Sequence, residues 1–451
     1  MKILVLAPRF PYPLDKGDKL RLYHQIVELS KQHDLYLFAL SHRRVPHDDY
    51  DHLLTYCTAV DCVQIHWWES LWGIFKAFLT GKPLQVGYWS SCRAKKAYAA
   101  WERQVQPDVV YCQMVRTMPT ISALHQISHL QGGVPVLRQF SPLQGGVPIL
   151  RQFSPLQGGV PVGGGGSSSH IILDFQDALS LNTRRRMELS HGPLRWILNY
   201  EYRALQRTEQ EALRRFDATT VISPVDQEVL SPSTVIVPNG VDTEYFNSSE
   251  SGERSSELSG CGSINSELRT PNSELSELVF TGNMSYAPNV DAARYLVEEV
   301  MPLVWRQLPE ATVLLAGADP KPAVRALASA RVVVSGRMAD IREAYASSLV
   351  FVAPMRIGSG LQNKLLEAMA MKLPCVTTSV AAVPLGQKAP VLVGDNPQTL
   401  ADHLVRLLRD ESLRRRLAEE GRRYVVQHHS WSSATAPLEG LIKKATGEYN
   451  K

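Results

Sequence analysis

The stretch LVFVAPMRIGSGLQNKLLEAMAM, residues 349–371, joins a strand signature to a helix signature through a Gly-Ser-Gly loop. Its first five residues are all apolar and predict a buried strand. Residues 361–371 repeat apolar side chains at helical spacing and predict a helix that begins directly after the loop. Backbone amides of such a loop, together with the positive end of a helix, form an anion site. The stretch therefore predicts one unit of a doubly wound α/β sheet with an anion-binding turn.

Charged side chains flank this turn. Arg356 and Lys364 can supply the positive charge that a diphosphate needs, and the loop adds the backbone amides of Gly358, Ser359, Gly360 and Leu361. Glu367 lies about one helical turn after Lys364, so both side chains project from one face. A carboxylate at that position can accept hydrogen bonds from two ribose hydroxyls. The alternative is an ordinary surface ion pair between Lys364 and Glu367.

The same alternation of strand and helix extends along the rest of the chain. Strands are predicted at residues 3–7, 35–40, 60–65, 109–112, 171–174, 219–222 and 235–237, and then at 278–281, 312–316, 332–335, 349–353, 375–377 and 391–393. Helical patterns lie between most of them, for example at 18–31 and 290–307. This order predicts two parallel sheets, each covered by helices on both faces. Ligands of such sheets bind beyond the carboxyl ends of the strands, here in a cleft between two Rossmann-like domains.

The predicted domains occupy residues 1–240 and 278–429, with an interdomain segment at 241–277 and a final helix at 430–451. Two low-complexity insertions interrupt this pattern. Residues 130–169 contain the tandem repeat LQGGVPVLRQFSP–LQGGVPILRQFSP, and residues 248–277 repeat Ser-Glu-Leu. Their Gly, Pro, Ser and Glu content predicts no regular element, and we expect neither insertion to take part in catalysis.

Polar residues follow several of the predicted strands. Gly17 and Asp18 end the loop after the first strand, where Asp18 could cap a helix beginning at Lys19 or the glycine backbone could face a ligand. Asp177 could cap a helix or bind a sugar hydroxyl. By contrast, Asp174 is interpreted as structural.

Two further turns complete the predicted site. Asn239 belongs to an Asn-Gly turn at the presumed domain crossing, where either a simple turn or a ligand-facing turn fits. Gly282, followed by Asn283, ends the first strand of the second domain. A glycine there lets a phosphate approach the backbone, with the helix from Pro288 pointing toward the same space.

Composition limits the classes of function and location. The 451 residues carry a net charge of only +4, too small to indicate a nucleic-acid partner. The six cysteines are scattered without a CxxC pair, which argues against structural zinc and against a disulfide framework. The apolar run at the N-terminus ends after Ala7, and no other run approaches the ~20 residues of a membrane span. These features predict a cytoplasmic protein.

One segment nevertheless has the composition of a membrane-contacting helix. Residues 67–79, WWESLWGIFKAFL, are aromatic and apolar and are followed by Lys82. Such a helix could lie in a bilayer interface at the inner face of the plasma membrane and meet a lipid-linked acceptor. A helix packed into the protein core explains the same residues.

Taken together, the ordered segments resemble a known family, the retaining GT-B glycosyltransferases of family 4. Within it, the chain looks like the bacterial sugar transferases associated with exopolysaccharide systems. The motifs that carry the resemblance are RFPYPLDKGDKLRLYH (9–24), ILDFQDALS (172–180), VPNGVDTEYF (237–246), FTGNMSYAPNVDAARYL (280–296), APMRIGSGLQNKLLEAMAMKLPCVTT (353–378) and SWSSATAPLEGLI (430–442).

The resemblance implies an enzyme that moves a hexose, with retention, from a nucleotide diphosphate sugar to a glycan or lipid-linked acceptor. It also implies that no metal or other cofactor is needed, and that the last helix crosses back to the first domain. Asp177, Arg356 and Lys364 would be catalytic, with Gly17 and Asp18 bordering the donor and acceptor space. Arg337 would border the nucleobase, and the remaining loop residues named above would bind the donor.

The chain departs from its relatives at three positions. Asn283 and Asn289 stand where many relatives carry Arg and Lys, and Ser359 stands where they often show a second glutamate. The donor sugar is therefore left unassigned. Two other functions remain open, a nucleotide-sugar epimerase of the same architecture and a catalytically silent nucleotide-sugar-binding protein.

Overall fold

Two parallel sheets organise the chain in the computed structural model. The structure describes residues 1–121, 169–188, 190–247, 276–358, 360–386 and 388–447. Most of both predicted insertions falls outside these residues, as does Ser359. The second insertion was predicted to extend to residue 277. Instead, the strand of that region begins at Ser276, because Ser276 donates its amide hydrogen to Ser347 O (3.2 Å).

The first sheet has the strand order β3-β2-β1-β4-β5-β6-β7, and every pair is parallel. Leu4, in the middle of β1, is aligned with Tyr36 of β2 and Val110 of β4. The order reverses between β1 and β4, and such a reversal leaves a crevice at the carboxyl ends of the strands. The strands are β1 (Lys2–Ala7), β2 (Asp34–Ser41), β3 (Ala59–Gln64), β4 (Val109–Gln113), β5 (His170–Gln176), β6 (Ala218–Val221) and β7 (Val235–Ile236).

Helices cover both faces of this sheet. They are α1 (Gly17–Ser30), α2 (His47–Leu54), α3 (Trp67–Leu79), α4 (Leu84–Tyr88), α5 (Cys92–Val105), α6 (Leu179–Glu188), α7 (Gly192–Arg215) and α8 (Pro224–Leu230). Alternate residues of β1 face opposite sides, so Leu4 and Leu6 belong to one core and Ile3 and Val5 to the other.

The second sheet repeats the plan with the order β10-β9-β8-β11-β12-β13. Its strands are β8 (Ser276–Thr281), β9 (Val313–Ala316), β10 (Val332–Gly336), β11 (Ser348–Ala353), β12 (Cys375–Thr377) and β13 (Val391–Val393). Its helices are α9 (Ala287–Tyr295), α10 (Met301–Trp305), α11 (Pro322–Arg325), α12 (Arg342–Ala346), α13 (Asn363–Ala370), α14 (Ser379–Ala382), α15 (Pro397–Arg409) and α16 (Glu411–His429). A π-helical segment, Leu296–Val300, divides the helix that the sequence predicts at 290–307.

The last helix, α17 (Trp431–Ala445), returns to the first domain. Its Leu438 and Ile442 are fully buried among the side chains of α1 and of strands β1 and β2. Trp431 stacks on His24 of α1 with ring centroids 4.6 Å apart. The fold is therefore the predicted pair of doubly wound domains joined by a returning helix. None of the described helices has the length and apolar character that crossing a bilayer requires.

Candidate active site

The loops after the strands of one sheet meet those of the other sheet. Asn239, after β7, donates a side-chain hydrogen bond to Oδ1 of Asn363 at the start of α13 (3.0 Å). Arg185 of α6 donates to the carbonyl oxygen of Gly358. The two domains therefore touch at the loop for which the sequence predicts an anion site.

Gly360 is required where it lies, because its backbone has φ +74° and a Cβ atom there would stand only 2.6 Å from Oδ1 of Asp177. Left-handed φ and lack of space both exclude a side chain. Gly358 also has positive φ, and Leu361 is buried at the entrance of α13. The loop therefore brings Asp177 of the first domain against the backbone of the second, which was not predicted from either segment alone.

Lys364 and Glu367 lie on the inward side of α13, and each has a partner of its own. Nζ of Lys364 donates to Oδ1 of Asn289 (2.6 Å) and lies 4.7 Å from the ring centre of Phe280. Glu367 Oε2 accepts a hydrogen bond from the Tyr345 hydroxyl (2.7 Å). Both side chains are only partly accessible, so the alternative of a surface ion pair is wrong.

Burial changes the charge state of these two groups. It lowers the pKa of Lys364 to about 7, although Glu367 opposes this shift. Burial likewise raises the pKa of Glu367, against the hydrogen bond from Tyr345 and the charge of Lys364. The charged form of a buried amine is poorly solvated. A phosphate placed beside it therefore stabilises that charged form more than it would stabilise an exposed lysine.

Gly282 brings a further part of the second domain to this group. A Cβ at Gly282 would lie 2.7 Å from Nδ2 of Asn289 and 3.1 Å from Nζ of Lys364. Asn283 is exposed, and its side-chain oxygen accepts from the Ser285 amide (2.8 Å). Where a lysine would have supplied charge, Asn289 instead holds Lys364 and donates to the carbonyl of Asn283 (2.9 Å).

The two arginines predicted for the site are exposed and lie beside carboxylates. Arg356 is exposed and pairs with Asp291 (2.7 Å) and Glu299 (3.3 Å), with its guanidinium over the Tyr295 ring. Arg337 is mostly exposed, 3.9 Å from Asp319. Among the described residues, neither arginine forms a hydrogen bond or an ion pair with Lys364 or Glu367, so Lys364 is the predicted cation at the centre of the group.

Asp177 is the titratable group of the first domain that faces the loop. Burial, followed by the nearby Asp226 carboxylate, raises the pKa of Asp177 to about 7, against the charges of Arg21 and Arg116. Asp226 is itself buried and accepts a hydrogen bond from the Ala178 amide (2.9 Å), next to Asp177 in the chain. Asp226 therefore fixes the backbone beside Asp177 and keeps a like charge near it.

The loop after β1 differs from the prediction in its capping. Helix α1 begins at Gly17, after Lys16, so Asp18 lies in its first turn and does not cap it. The carboxylate of Asp18 instead pairs with Arg9 (2.5 Å), and its carbonyl accepts from Gln113 Nε2 (3.0 Å). Gly17 has open space around it.

Asp174 has the predicted structural role. It is fully buried and pairs with Arg21 (2.9 Å), and it accepts hydrogen bonds from Tyr111 and Thr220. Arg21 also donates to Oδ1 of Asn239 (3.0 Å), so this network holds the Asn-Gly turn in place.

Residues 184–186 form a run of three arginines, and such runs are usually solvated helix faces. Arg184 fits that interpretation, since it is exposed and pairs with Glu188 (3.0 Å). Arg185, however, crosses to Gly358. Arg116 carried no sequence signal, yet burial lowers its pKa, and the nearby Asp18 and Asp177 carboxylates only partly oppose this shift.

Comparison with known proteins finds one matching family model and several proteins of similar structure. Residues 276–410 match the family model described as Glycosyl transferases group 1. Sucrose-phosphate synthase from Thermosynechococcus elongatus superposes with a TM-score of 0.62 at 12% identity, covering 99% of this chain and 100% of that one. Anabaena Alr3699/HepE, solved with UDP-glucose, gives 0.59 at 13% identity, covering 98% and 100%. WaaG, a glycosyltransferase involved in lipopolysaccharide biosynthesis, gives 0.56 at 14% identity, covering 99% and 100%.

Proposed function

We propose that this chain, a glycosyltransferase by its group 1 domain and its GT-B fold, transfers a hexose with retention from a nucleotide diphosphate sugar. The acceptor we propose is a glycan or lipid-linked sugar of exopolysaccharide or cell-envelope polysaccharide synthesis. The motifs that resemble family 4 support this assignment, and the similar structure of HepE was solved with UDP-glucose. We propose further that the enzyme works in the cytoplasm, at the inner face of the plasma membrane.

The observation that carries the proposal is the approach of Asp177 to Gly360. It joins a carboxyl group of one domain to the predicted anion-binding turn of the other, directly before the helix that bears Lys364 and Glu367. A donor in this cleft would place its diphosphate on Lys364 and the amides of 358–361, and its ribose on Glu367. Its hexose would then point toward Asp177.

The remaining predicted residues take supporting positions in this proposal. Gly282 leaves room for phosphate beside Lys364, while Arg337 borders the base. Arg356 can reach the donor only by exchanging its carboxylate partners for phosphate oxygens. Asn283, Asn239 and the loop at Gly17 and Asp18 would border the donor and the acceptor.

The proposed reaction breaks the bond between the anomeric carbon and the diphosphate oxygen. The acceptor oxygen forms its new bond on the same face, and the proton of the acceptor hydroxyl passes to a phosphate oxygen of the departing diphosphate. Lys364 and the dipole of α13 offset the charge that develops on this leaving group. We expect no metal ion or other cofactor to be required.

A donor screen tests the assignment. Hydrolysis of UDP-, GDP- and ADP-sugars is measured for the wild type, Lys364→Ala and Glu367→Ala. We expect the loss of a charge-assisted phosphate contact at Lys364 to lower donor kcat/KM by about 10–100-fold, and Glu367→Ala to lower it by about tenfold. Lys321→Ala, an exposed lysine of the same domain, is the matched control. Unchanged kcat/KM in both site variants would contradict the assignment.

The same screen separates the two alternatives. A nucleotide-sugar epimerase converts the donor to its epimer without an acceptor, and chromatography of the products detects this. A silent binding protein retains the donor without turnover. The carboxylate pairing of Arg356 and the asparagines at 283 and 289 favour this second alternative over the epimerase, because they reduce the charge available to a leaving group.

A further inference from the structure

Two helices of the first domain present large apolar side chains to solvent. Trp196 is 82% exposed and Trp67 is 74% exposed. We call the whole set the aromatic face, and it consists of Trp67, Trp68, Leu71, Trp72, Phe75, Phe78 and Leu79 on α3 with Leu194, Trp196 and Ile197 on α7. The core-packed interpretation of residues 67–79 is therefore wrong. Scattered exposed apolar residues need no explanation, whereas a contiguous set of this size marks an interaction surface.

Helix α3 is turned so that its small and polar residues face the protein. Its buried positions are Glu69, Ser70, Gly73 and Ala77. Gly73 lies against the backbone of Gly87 in α4, where a Cβ at position 73 would stand 2.1 Å from the Gly87 carbonyl oxygen. The close contact of two glycines fixes this orientation, so the exposed aromatic side chains follow from the packing itself.

The start of α7 extends the aromatic face beyond residues 67–79, the segment whose composition is that of a membrane-contacting helix. The Tyr200 hydroxyl lies within hydrogen-bonding distance of the carbonyls of Phe78 (3.2 Å) and Lys82 (3.0 Å) at the end of α3. The Tyr200 and Phe78 rings are also in contact, with centroids 5.4 Å apart. Trp196 precedes Tyr200 by one helical turn and therefore lies on the same side of α7.

In α3, in the turn that follows it and in the first turn of α7, every exposed charged side chain is basic. Lys76, Lys82 and Arg195 are exposed beside the aromatic face. The acidic residue of α3, Glu69, is turned inward and accepts hydrogen bonds from the His66 amide (2.9 Å) and the Ser91 hydroxyl (2.6 Å). Tryptophan-rich apolar surface with a basic rim matches the interface of an anionic bilayer in both polarity and charge.

We propose that α3 and the first turns of α7 together dock the enzyme on an anionic lipid bilayer and so present a lipid-linked acceptor to the cleft. Helix α4 connects the aromatic face to the cleft. It contacts α3 through the glycine pair, and its Gln85 accepts a hydrogen bond from Arg116 (2.8 Å), the cleft residue near Asp18 and Asp177. Delivery of the acceptor rests on the proposed glycosyl transfer, whereas docking on the bilayer does not.

Flotation of the full chain with vesicles tests the docking. Vesicles of phosphatidylglycerol and phosphatidylethanolamine are compared with vesicles of phosphatidylcholine alone. We expect the wild type to float with the anionic vesicles, and Trp196→Ser/Ile197→Ser and Trp72→Ser/Phe75→Ser each to lower partitioning by at least about tenfold. Val229→Ser and Val426→Ser replace exposed apolar residues outside the face and should leave partitioning unchanged.

Donor hydrolysis, thermal unfolding and light scattering are measured alongside flotation. Donor hydrolysis and the thermal midpoint should match the wild type in both pairs of variants, because all four residues are exposed and outside the cleft. Absence of flotation by the wild type would overturn the proposal, and so would flotation of the α7 variant at the wild-type level. If light scattering showed a dimer that the variants dissociate, without flotation, the face would join two copies instead. A wild type that floats but turns over no donor would leave docking intact and refute glycosyl transfer.

Discussion

Asp177 depends on a second carboxylate for both its position and its proton. Asp226 accepts a hydrogen bond from the amide of Ala178, the residue after Asp177. It also raises the pKa of Asp177, adding to the effect of burial. Positive groups, Arg21 and Arg116, act in the opposite direction. A carboxyl group with a pKa of about 7 changes its charge within the pH range in which most enzymes operate.

Asp226→Asn should therefore move the pH profile of turnover. The amide oxygen still accepts from the Ala178 amide, but the like charge is gone, so the pKa of Asp177 falls. Whichever protonation state turnover requires, the corresponding limb of kcat/KM against pH should move down by about 0.5–1 pH unit. Glu188→Gln, on the exposed face of α6, serves as the control. An unchanged or higher apparent pKa would show that Asp226 is only structural.

The Gly-Ser-Gly loop requires glycine at position 360 for two separate reasons. Gly360→Ala must hold an alanine at φ +74°, and its Cβ must displace the Asp177 carboxylate 2.6 Å away. Left-handed backbone costs a non-glycine residue about 1–2 kcal/mol, so the free energy of unfolding should fall by that amount. Loss of the Asp177 contact should lower kcat/KM by at least about tenfold.

Gly440→Ala gives the matched comparison for this loop. Gly440 lies in α17 with no atom near its Cβ position, so alanine there should raise stability by about 0.5–1 kcal/mol. Urea unfolding and donor kinetics of the two variants provide both readouts. Equal stability changes in the two variants, or unaltered kinetics of Gly360→Ala, would contradict the role given to the loop.

Strands and helices could be predicted from the sequence because their signals are local. Each strand predicted for the two sheets occurs within a few residues of its predicted bounds, since continuous apolar runs are typical of doubly buried parallel strands. Local reasoning failed where a competing contact decided the outcome. Asp18 suits an N-cap by residue type, but Arg9 takes its carboxylate, and α1 begins two residues earlier than that cap requires.

The site was only partly predictable for a related reason. Lys364 and Glu367 share one helix, so their spacing is visible in the sequence. Arg185 and Asp177 act on the loop from another domain. Arg185 lies 173 residues before Gly358 in the sequence, and no local pattern reveals a contact over that separation. Similarly, nothing in the spacing of Arg356 indicates that Asp291 and Glu299 surround it.

Contacts between the two domains, several of them at the cleft, hold the domains in register. Arg185 reaches Gly358, Asn239 reaches Asn363, and α17 returns from the second domain to pack on α1. Because the buried Arg21–Asp174 pair fixes Asn239, the core of the first domain is coupled directly to the start of α13. The candidate site is thus a property of the assembled pair of domains.

A crystal structure with the nucleoside diphosphate that the donor screen selects tests the proposed donor site most directly. We expect a phosphate oxygen within about 2.7–3.2 Å of Lys364 Nζ, and the diphosphate at the loop around Gly358 and Gly360. The ribose hydroxyls should lie on Glu367. A nucleotide bound elsewhere, with Lys364 still paired to Asn289 and Glu367 contacting only Tyr345, would contradict the assignment of Lys364 and Glu367 to the donor site.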